Sequence, residues 1–134
     1  MQSSLERINP DTLAAGESTG YETLQLHLDR YHYAARFLKN GTCADIACGT
    51  GYGSFLLATQ YAHLVDSIIA VDIDAPSIEW ARSRYSHPSI EYIQSDALSF
   101  RYSRPLQNVI SLETIEHLPD PQDFVHNMSG QLSA

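Results

Sequence analysis

The sequence predicts an α/β fold, in which helices cover both faces of a parallel sheet. Short apolar runs alternate with segments of helical periodicity along most of the 134 residues, and this alternation is typical of consecutive β-α-β units. The run 68–71 is uninterruptedly apolar, as expected of a strand buried on both faces. A glycine-rich stretch at 45–53 follows the first apolar run. Together these features place a ligand site at the carboxyl ends of the strands.

The elements follow in chain order. Residues 1–23 are polar and irregular, and we expect them to form an arm or lid before a domain spanning 24–134. The first helix carries an apolar stripe at helical spacing, formed by Leu24, Leu28, Tyr31, Ala35 and Leu38. Strands are predicted at 42–47, 67–73, 90–94 and 106–112.

Two later helices have recognisable starts. Asp74 caps a helix that has Pro76 in its first turn, and Asp120-Pro121 opens the last helix. Four residues of that helix are expected to point inward: Phe124, Val125, Met128 and Leu132.

Composition excludes several classes of protein. The net charge is −8 with only eight Lys and Arg residues, which argues against a nucleic-acid surface. No apolar run is long enough for a membrane span, and the first residues lack a signal-peptide pattern. The spacing of Cys43 and Cys48 suits neither a disulfide nor a zinc pair. Reduced cysteines predict a cytoplasmic protein.

The stretch 45–53 carries the strongest chemical information. Its glycines let the backbone approach a ligand closely, and the helix that follows offers N–H groups to an anion. Asp45 ends the strand before the turn; it would repel a pyrophosphate but suits a ligand with an ammonium group beside a carboxylate. S-adenosylmethionine is such a ligand. A nicotinamide dinucleotide is the disfavoured alternative, because Ser54 stands where its motif needs a third glycine.

Polar residues also end the other three strands. Asp72 follows the glycine turn by about 20 residues, a spacing that suits an acid gripping ribose hydroxyls. Asp96 and Ala97 end the third strand, where a side-chain acceptor and a backbone N–H could frame an adenine edge. Glu113 ends the fourth strand and faces the expected reaction centre. Four strand ends therefore converge on one rim.

The sequence resembles the class I S-adenosylmethionine-dependent methyltransferases, and among them the small-molecule group of ubiquinone and menaquinone methyltransferases. The resemblance covers roughly residue 24 to the C-terminus, and its motifs are 45–53, 71–74, 95–97 and 113–118. It implies a Rossmann-like sheet in the order 3-2-1-4. Family members continue into a fifth to seventh strand that this sequence lacks. We therefore expect a fragment whose exposed fourth-strand edge drives self-association.

The resemblance also implies roles for individual residues. Asp45, Gly49 and Gly51 would contact the methionine part of the cofactor, within a turn completed by Ala47 and Thr50. Asp72 would hold the ribose, Ile73 would lie against the adenine face, and Asp96 with Ala97 would meet the adenine amino group. Tyr31 could reach the cofactor's carboxylate, although its place on the apolar stripe indicates core packing equally well.

The segment 113–118 carries the catalytic candidates. His117 is a candidate general base and Glu113 a second catalytic residue facing the acceptor. Glu113, Glu116 and His117 could instead converge on a divalent metal, which is the less favoured interpretation, and a solvated polar turn is a third.

The expected function is methyl transfer from S-adenosylmethionine to a small-molecule or carrier-bound acceptor, without a nucleic-acid or membrane partner. Whether oxygen, nitrogen or carbon is methylated is left open. Two alternatives stand beside it: a non-catalytic S-adenosylmethionine-binding or interaction module, and an NAD-dependent oxidoreductase.

Overall fold

The computed structural model describes residues 18–112 and 120–132, with side chains described from residue 22 onward. The described residues form four helices and four strands: α1 Ser18–Ala35, β1 Gly41–Ile46, α2 Tyr52–Gln60, β2 Val65–Asp72, α3 Ala75–Arg84, β3 Ile90–Gln94, β4 Asn108–Ile110 and α4 Pro121–Gln131. Strands and helices alternate from β1 to β3, and β4 follows β3 without a helix between them. Helix α1 begins at Ser18, so residues 18–23 are helical, whereas the sequence pattern assigned them to an arm. Within the described residues, no helix is both long and apolar enough to cross a bilayer.

The strands form one parallel sheet in the order β3-β2-β1-β4, which confirms the predicted order. Strand β1 lies at the centre of the described sheet, where Asp45 is level with Ala70 of β2 and Ile110 of β4. The reversal of strand order beside β1 places its carboxyl end at the crevice where such folds bind ligands.

Each face of the sheet has its own core. Cys43 and Ile68 point to the face covered by α1, α2 and α3. Their neighbours Ala44 and Ile69 point to the face covered by α4. All four side chains are buried, as the unbroken apolar run of β2 predicted for a strand covered on both faces.

The helix starts are confirmed and two inward positions are wrong. Asp74 and Asp120 cap α3 and α4 by accepting the backbone N–H three residues ahead. Phe124 and Met128 are buried, but Val125 is 48% exposed because it lies about 100° around the helix from Phe124. Leu132 is 41% exposed because α4 has ended and its backbone is extended.

Candidate functional site

The turn between β1 and α2 has an unusual backbone. Ala47, Gly49 and Gly51 have φ angles of 65°, 60° and 94°. Positive φ is costly for a residue with a side chain, and strain of this kind clusters at ligand sites. The turn is fixed by backbone hydrogen bonds, in which Cys48 N–H donates to Val71 O at 2.9 Å and Gly51 N–H donates to Cys48 O at 3.2 Å.

The glycines of this turn face different surroundings. A Cβ on Gly51 would lie 2.7 Å from Cβ of Ala81 and 3.0 Å from the Tyr92 hydroxyl, so a side chain has no room there. A Cβ on Gly49 would meet nothing within 4 Å. Gly49 therefore forms the open side of the turn, where a ligand can approach the backbone.

Asp72 connects the end of β2 to this turn. One of its carboxylate oxygens accepts the Gly49 N–H at 2.9 Å, and the other accepts the Asp74 N–H at 2.9 Å. The side chain is only 4% exposed, so its position is well defined. The neighbouring Ile73 is 62% exposed, so its apolar side chain is open to a ligand at this rim.

The segment after β3 lies beside these residues. Ser95 N–H donates to Asp72 O at 3.0 Å, and the Gln94 side-chain amide donates to Ile73 O at 3.2 Å. Asp96 is exposed and accepts the Leu98 N–H at 3.0 Å. Asp96, which is predicted to meet the adenine, therefore directly follows Ser95. The backbone of Ser95 is hydrogen-bonded to Asp72, which is predicted to hold the ribose.

Asp45 lies near the end of β1, directly before the turn, and is fully buried. Its carboxylate accepts a hydrogen bond from Ser54 Oγ at 2.6 Å and from the Tyr31 hydroxyl at 3.1 and 3.2 Å to its two oxygens. Burial raises the pKa of Asp45 from 3.8 to about 7, although both hydroxyls lower it and the Asp72 charge adds to the rise. The carboxylate of Asp45 is 0% exposed. A direct contact between Asp45 and a ligand stays a prediction.

Tyr31 packs in the core with its hydroxyl hydrogen-bonded to Asp45. Its ring packs so closely on Gly53 that a Cβ there would overlap the ring atoms. Its side chain is 7% exposed, which confirms core packing, and its hydroxyl reaches the acid of the turn. A direct contact between Tyr31 and a cofactor stays a prediction.

Sequence reasoning missed Ser54 as a site residue. It was noted only as a departure from a third glycine, yet it is fully buried and makes the shortest hydrogen bond to Asp45. The sequence feature that could have identified Ser54 is a hydroxyl side chain in the first helical turn of α2. That part of the helix packs over the end of β1.

The structure brings the predicted turn residues together with Asp72, and it places Ile73, Asp96 and Ala97 along the same rim. Glu113, Glu116 and His117 lie outside the described residues. In the part of the chain that is described, no group of three His, Cys, Asp or Glu side chains is arranged to hold a metal ion.

Comparisons with known proteins agree on one family. The model of a methyltransferase domain family matches residues 43–133. An uncharacterized methyltransferase of Mycobacterium tuberculosis is 28% identical over 106 residues, covering 78% of this chain and 52% of the relative. A ubiquinone biosynthesis O-methyltransferase of Rickettsia felis is 32% identical over 91 residues, covering 66% of this chain and 35% of the relative. The chain thus spans about half the length, or less, of these relatives.

Solved structures show the same fold. The N-methyltransferase NodS of Bradyrhizobium japonicum, in complex with S-adenosyl-L-homocysteine, superimposes with a TM-score of 0.69 at 20% identity. That match covers 97% of this chain and 66% of the NodS chain.

Proposed function

Because the chain belongs to the class I S-adenosylmethionine-dependent methyltransferases, we propose that it transfers a methyl group from S-adenosylmethionine to a small-molecule or carrier-bound acceptor. The observation that carries the proposal is the open Gly49 turn held against the carboxylate of Asp72. Three features follow one another here: the open turn at Gly49, the carboxylate of Asp72 at the end of β2, and the exposed side chain of Ile73. They suit the amino-acid, ribose and adenine parts of the cofactor, in that order.

The ribose and adenine ends have definite candidates. A carboxylate accepts up to about four hydrogen bonds, so the two backbone donors on Asp72 are compatible with ribose hydroxyls donating to the same group. Ile73 would cover one adenine face, and burying its exposed side chain would add apolar stabilisation. Asp96 would accept from the adenine amino group, with the Ala97 N–H beside it.

The amino-acid end lies over the turn 47–51. Asp45 is buried beneath this turn and supplies negative charge toward a ligand ammonium group, while Thr50 and Gly51 lead into the N-terminus of α2. A helix N-terminus favours a carboxylate. The arrangement therefore suits a zwitterionic amino-acid group. S-adenosylmethionine carries such a group, and a nicotinamide dinucleotide does not.

The chemistry asked of the chain itself is modest. When bound, S-adenosylmethionine supplies a methyl group already activated on a sulfonium. The residues of the turn and the rim would hold the donor in one orientation and exclude water, and such positioning supplies most of the acceleration. His117 would remove a proton from a hydroxyl, amine or carbon acceptor, with Glu113 facing the same acceptor. A divalent metal on Glu113, Glu116 and His117 is the less favoured proposal.

Two alternative functions can be distinguished from methyl transfer by experiment. A non-catalytic S-adenosylmethionine-binding module would bind the cofactor but transfer no methyl group to any acceptor. An NAD-dependent oxidoreductase would bind NAD in preference. We expect neither a nucleic-acid nor a membrane partner, and the two buried free cysteines support a cytoplasmic location.

Self-association through β4 is also proposed. Within the described residues β4 pairs only with β1, but it contains three residues rather than the predicted seven. A short edge strand limits edge-to-edge pairing, so we expect weak association. Sedimentation velocity over a range of concentrations would detect it.

The test of the cofactor proposal is calorimetric titration with S-adenosylhomocysteine, with NAD as the comparator ligand. We expect binding of the adenosyl ligand in the micromolar range, at least tenfold weaker binding by Asp72→Ala, and no binding of NAD. Preference for NAD would favour the oxidoreductase. Failure of the unmodified chain to bind either ligand would contradict the proposal. Screening of phenol, amine and carbon acceptors with S-adenosylmethionine then tests transfer.

A further inference from the structure

We infer that Ser54 and Tyr31 are positioning residues for the cofactor, acting through Asp45 to keep a negative charge beneath the amino-acid end of the ligand. The inference rests on the proposed cofactor site and adds two residues to it. In this role both hydroxyls act on Asp45. Each would fix the state and the orientation of the one carboxylate that lies under the turn.

The geometry isolates the three side chains from solvent. Asp45 and Ser54 are 0% exposed and Tyr31 is 7% exposed. Ser54 belongs to the first turn of α2, Tyr31 to α1 and Asp45 to β1, so one carboxylate joins three elements around the turn. No basic side chain of the described part of the chain hydrogen-bonds to Asp45. Within residues 18–112 and 120–132, the donors to this buried carboxylate are two hydroxyls, without the cation that ordinarily accompanies such a charge.

The hydroxyls favour the ionised state of this acid. Ser54 and Tyr31 both donate hydrogen bonds, and donation to a carboxylate stabilises its charged form. Burial and the charge of Asp72 oppose ionisation. In the described part of the chain, the other titratable groups that interact with Asp45 are Cys43, Tyr92 and Tyr31. Burial, with the Asp45 charge adding to it, raises the pKa of each, so all three are neutral near pH 7.

A cationic ligand would supply a positive charge near the Asp45 carboxylate. The ammonium group of the cofactor's amino-acid end would favour the ionised acid, and the ionised acid would favour the ammonium. Removing a hydroxyl donor should therefore weaken binding only of ligands that carry this group. A purely structural role for Ser54 would instead disturb the turn, and every adenosyl ligand would bind more weakly.

The test compares two ligands and three variants. S-adenosylhomocysteine carries the amino-acid end, whereas 5′-methylthioadenosine lacks it and retains the ribose and adenine. Ser54→Ala removes the nearer donor, and Tyr31→Phe removes the other while leaving the ring on Gly53. Thr59→Ala is the matched control, since it removes an exposed hydroxyl from the same helix that bonds only within the helix. Circular dichroism and urea denaturation establish that each variant is folded.

We expect Ser54→Ala to weaken S-adenosylhomocysteine binding by about tenfold, as for loss of a hydrogen bond to a charged group. Tyr31→Phe should weaken it by a smaller factor because its hydrogen bonds are longer. Both variants should bind 5′-methylthioadenosine within about twofold of the parent, and Thr59→Ala should match the parent with both ligands. As the solution is acidified, protonation of Asp45 should weaken the binding of S-adenosylhomocysteine. This loss should begin at a higher pH in Ser54→Ala than in the parent, because the variant lacks one donor to the ionised carboxylate.

Four results would overturn the inference. Equal loss of both ligands by Ser54→Ala and Tyr31→Phe would show a structural role, and unchanged binding of S-adenosylhomocysteine would show no role. If the parent chain binds 5′-methylthioadenosine but not S-adenosylhomocysteine, the role assigned to Asp45 is wrong while the nucleoside site stands. Binding of neither ligand by the parent would overturn the proposed cofactor site, and this inference with it.

Discussion

Ser54 Oγ donates to Asp45 Oδ2 at 2.6 Å, and both side chains are completely buried. The contact joins the first turn of α2 to the end of β1 across a turn that contains three positive φ angles. A buried charge-assisted hydrogen bond is among the stronger polar contacts in a protein. It therefore helps to hold the backbone that forms the open side of the proposed cofactor site.

The raised pKa of Asp45 predicts a specific dependence of stability on pH. The folded pKa of about 7 lies above the ordinary value of 3.8, so the folded state binds a proton more tightly than the unfolded state does. This contribution to stability is complete below about pH 4 and is lost as the pH rises through 7. Relative to Asp45→Asn, the parent should lose on the order of 4 kcal/mol of unfolding free energy over this interval.

Urea denaturation of the parent and Asp45→Asn at pH 4 and pH 8 measures this difference. The asparagine oxygen can accept one hydroxyl hydrogen bond and its amide can donate to the other hydroxyl, so the variant should fold. Parallel pH profiles for the two proteins would show that Asp45 ionises normally.

Gly53→Ala should destabilise the protein. The added Cβ would overlap the ring of Tyr31, which is held from behind by the core and by its hydrogen bonds to Asp45. We expect a loss of about 1–3 kcal/mol in the free energy of unfolding. Gly130→Ala in α4 is the control, because its Cβ meets nothing within 4 Å and should stabilise the helix by about 0.5–1 kcal/mol. Thermal denaturation in which both variants shift in the same direction would refute the packing argument.

Ile73→Ala should weaken cofactor binding without loss of stability. The side chain is 62% exposed in the free protein, so its removal costs the fold little, whereas an adenine ring covering it would lose apolar contact. We expect S-adenosylhomocysteine to bind about tenfold more weakly. Val125→Ala is the comparison, since Val125 is an apolar residue 48% exposed on α4 and is not among the residues proposed to bind the cofactor. Equal affinities for all three proteins would place the adenine elsewhere.

His117→Ala should lower the rate of methyl transfer by about 10²–10⁴-fold, the range of general acid–base catalysis, and leave cofactor affinity unchanged. Single-turnover kinetics with a hydroxyl acceptor measures the first quantity and calorimetry the second. A parallel loss of affinity would assign His117 to the cofactor site instead. Activity abolished by EDTA and restored by Mg²⁺ would favour the metal interpretation of Glu113, Glu116 and His117.

Much of the fold could be predicted because its signals are local. The apolar run of β2 and the Asp-Pro start of α4 each indicate their element directly, and the order of the sheet followed from the family resemblance. The predicted extent of β4 was too long because periodicity cannot show where backbone pairing with β1 stops. Val125 was misplaced because a short helix contains too few turns to define its buried face.

The site was predictable in its motifs but not in its contacts. The spacing from Gly51 to Asp72 indicated a shared rim, and the hydrogen bond from Gly49 to Asp72 joins these segments. The partnership of Ser54 with Asp45 depends on how α2 packs over β1, which no sequence motif specifies. The complete burial of Asp45 likewise results from the packing of three elements, which no sequence motif specifies.

We propose that the turn 47–51 and the strand ends beside it bind the cofactor. The decisive measurement is titration of the ¹⁵N-labelled 134-residue chain with S-adenosylhomocysteine, followed by amide chemical shifts. We expect the largest shifts on Gly49, Gly51, Ile73 and Ala97, and we expect α4 amides such as Val125 to remain unchanged. Saturable shifts confined to α4, with the Gly49 and Ile73 amides unmoved, would contradict it.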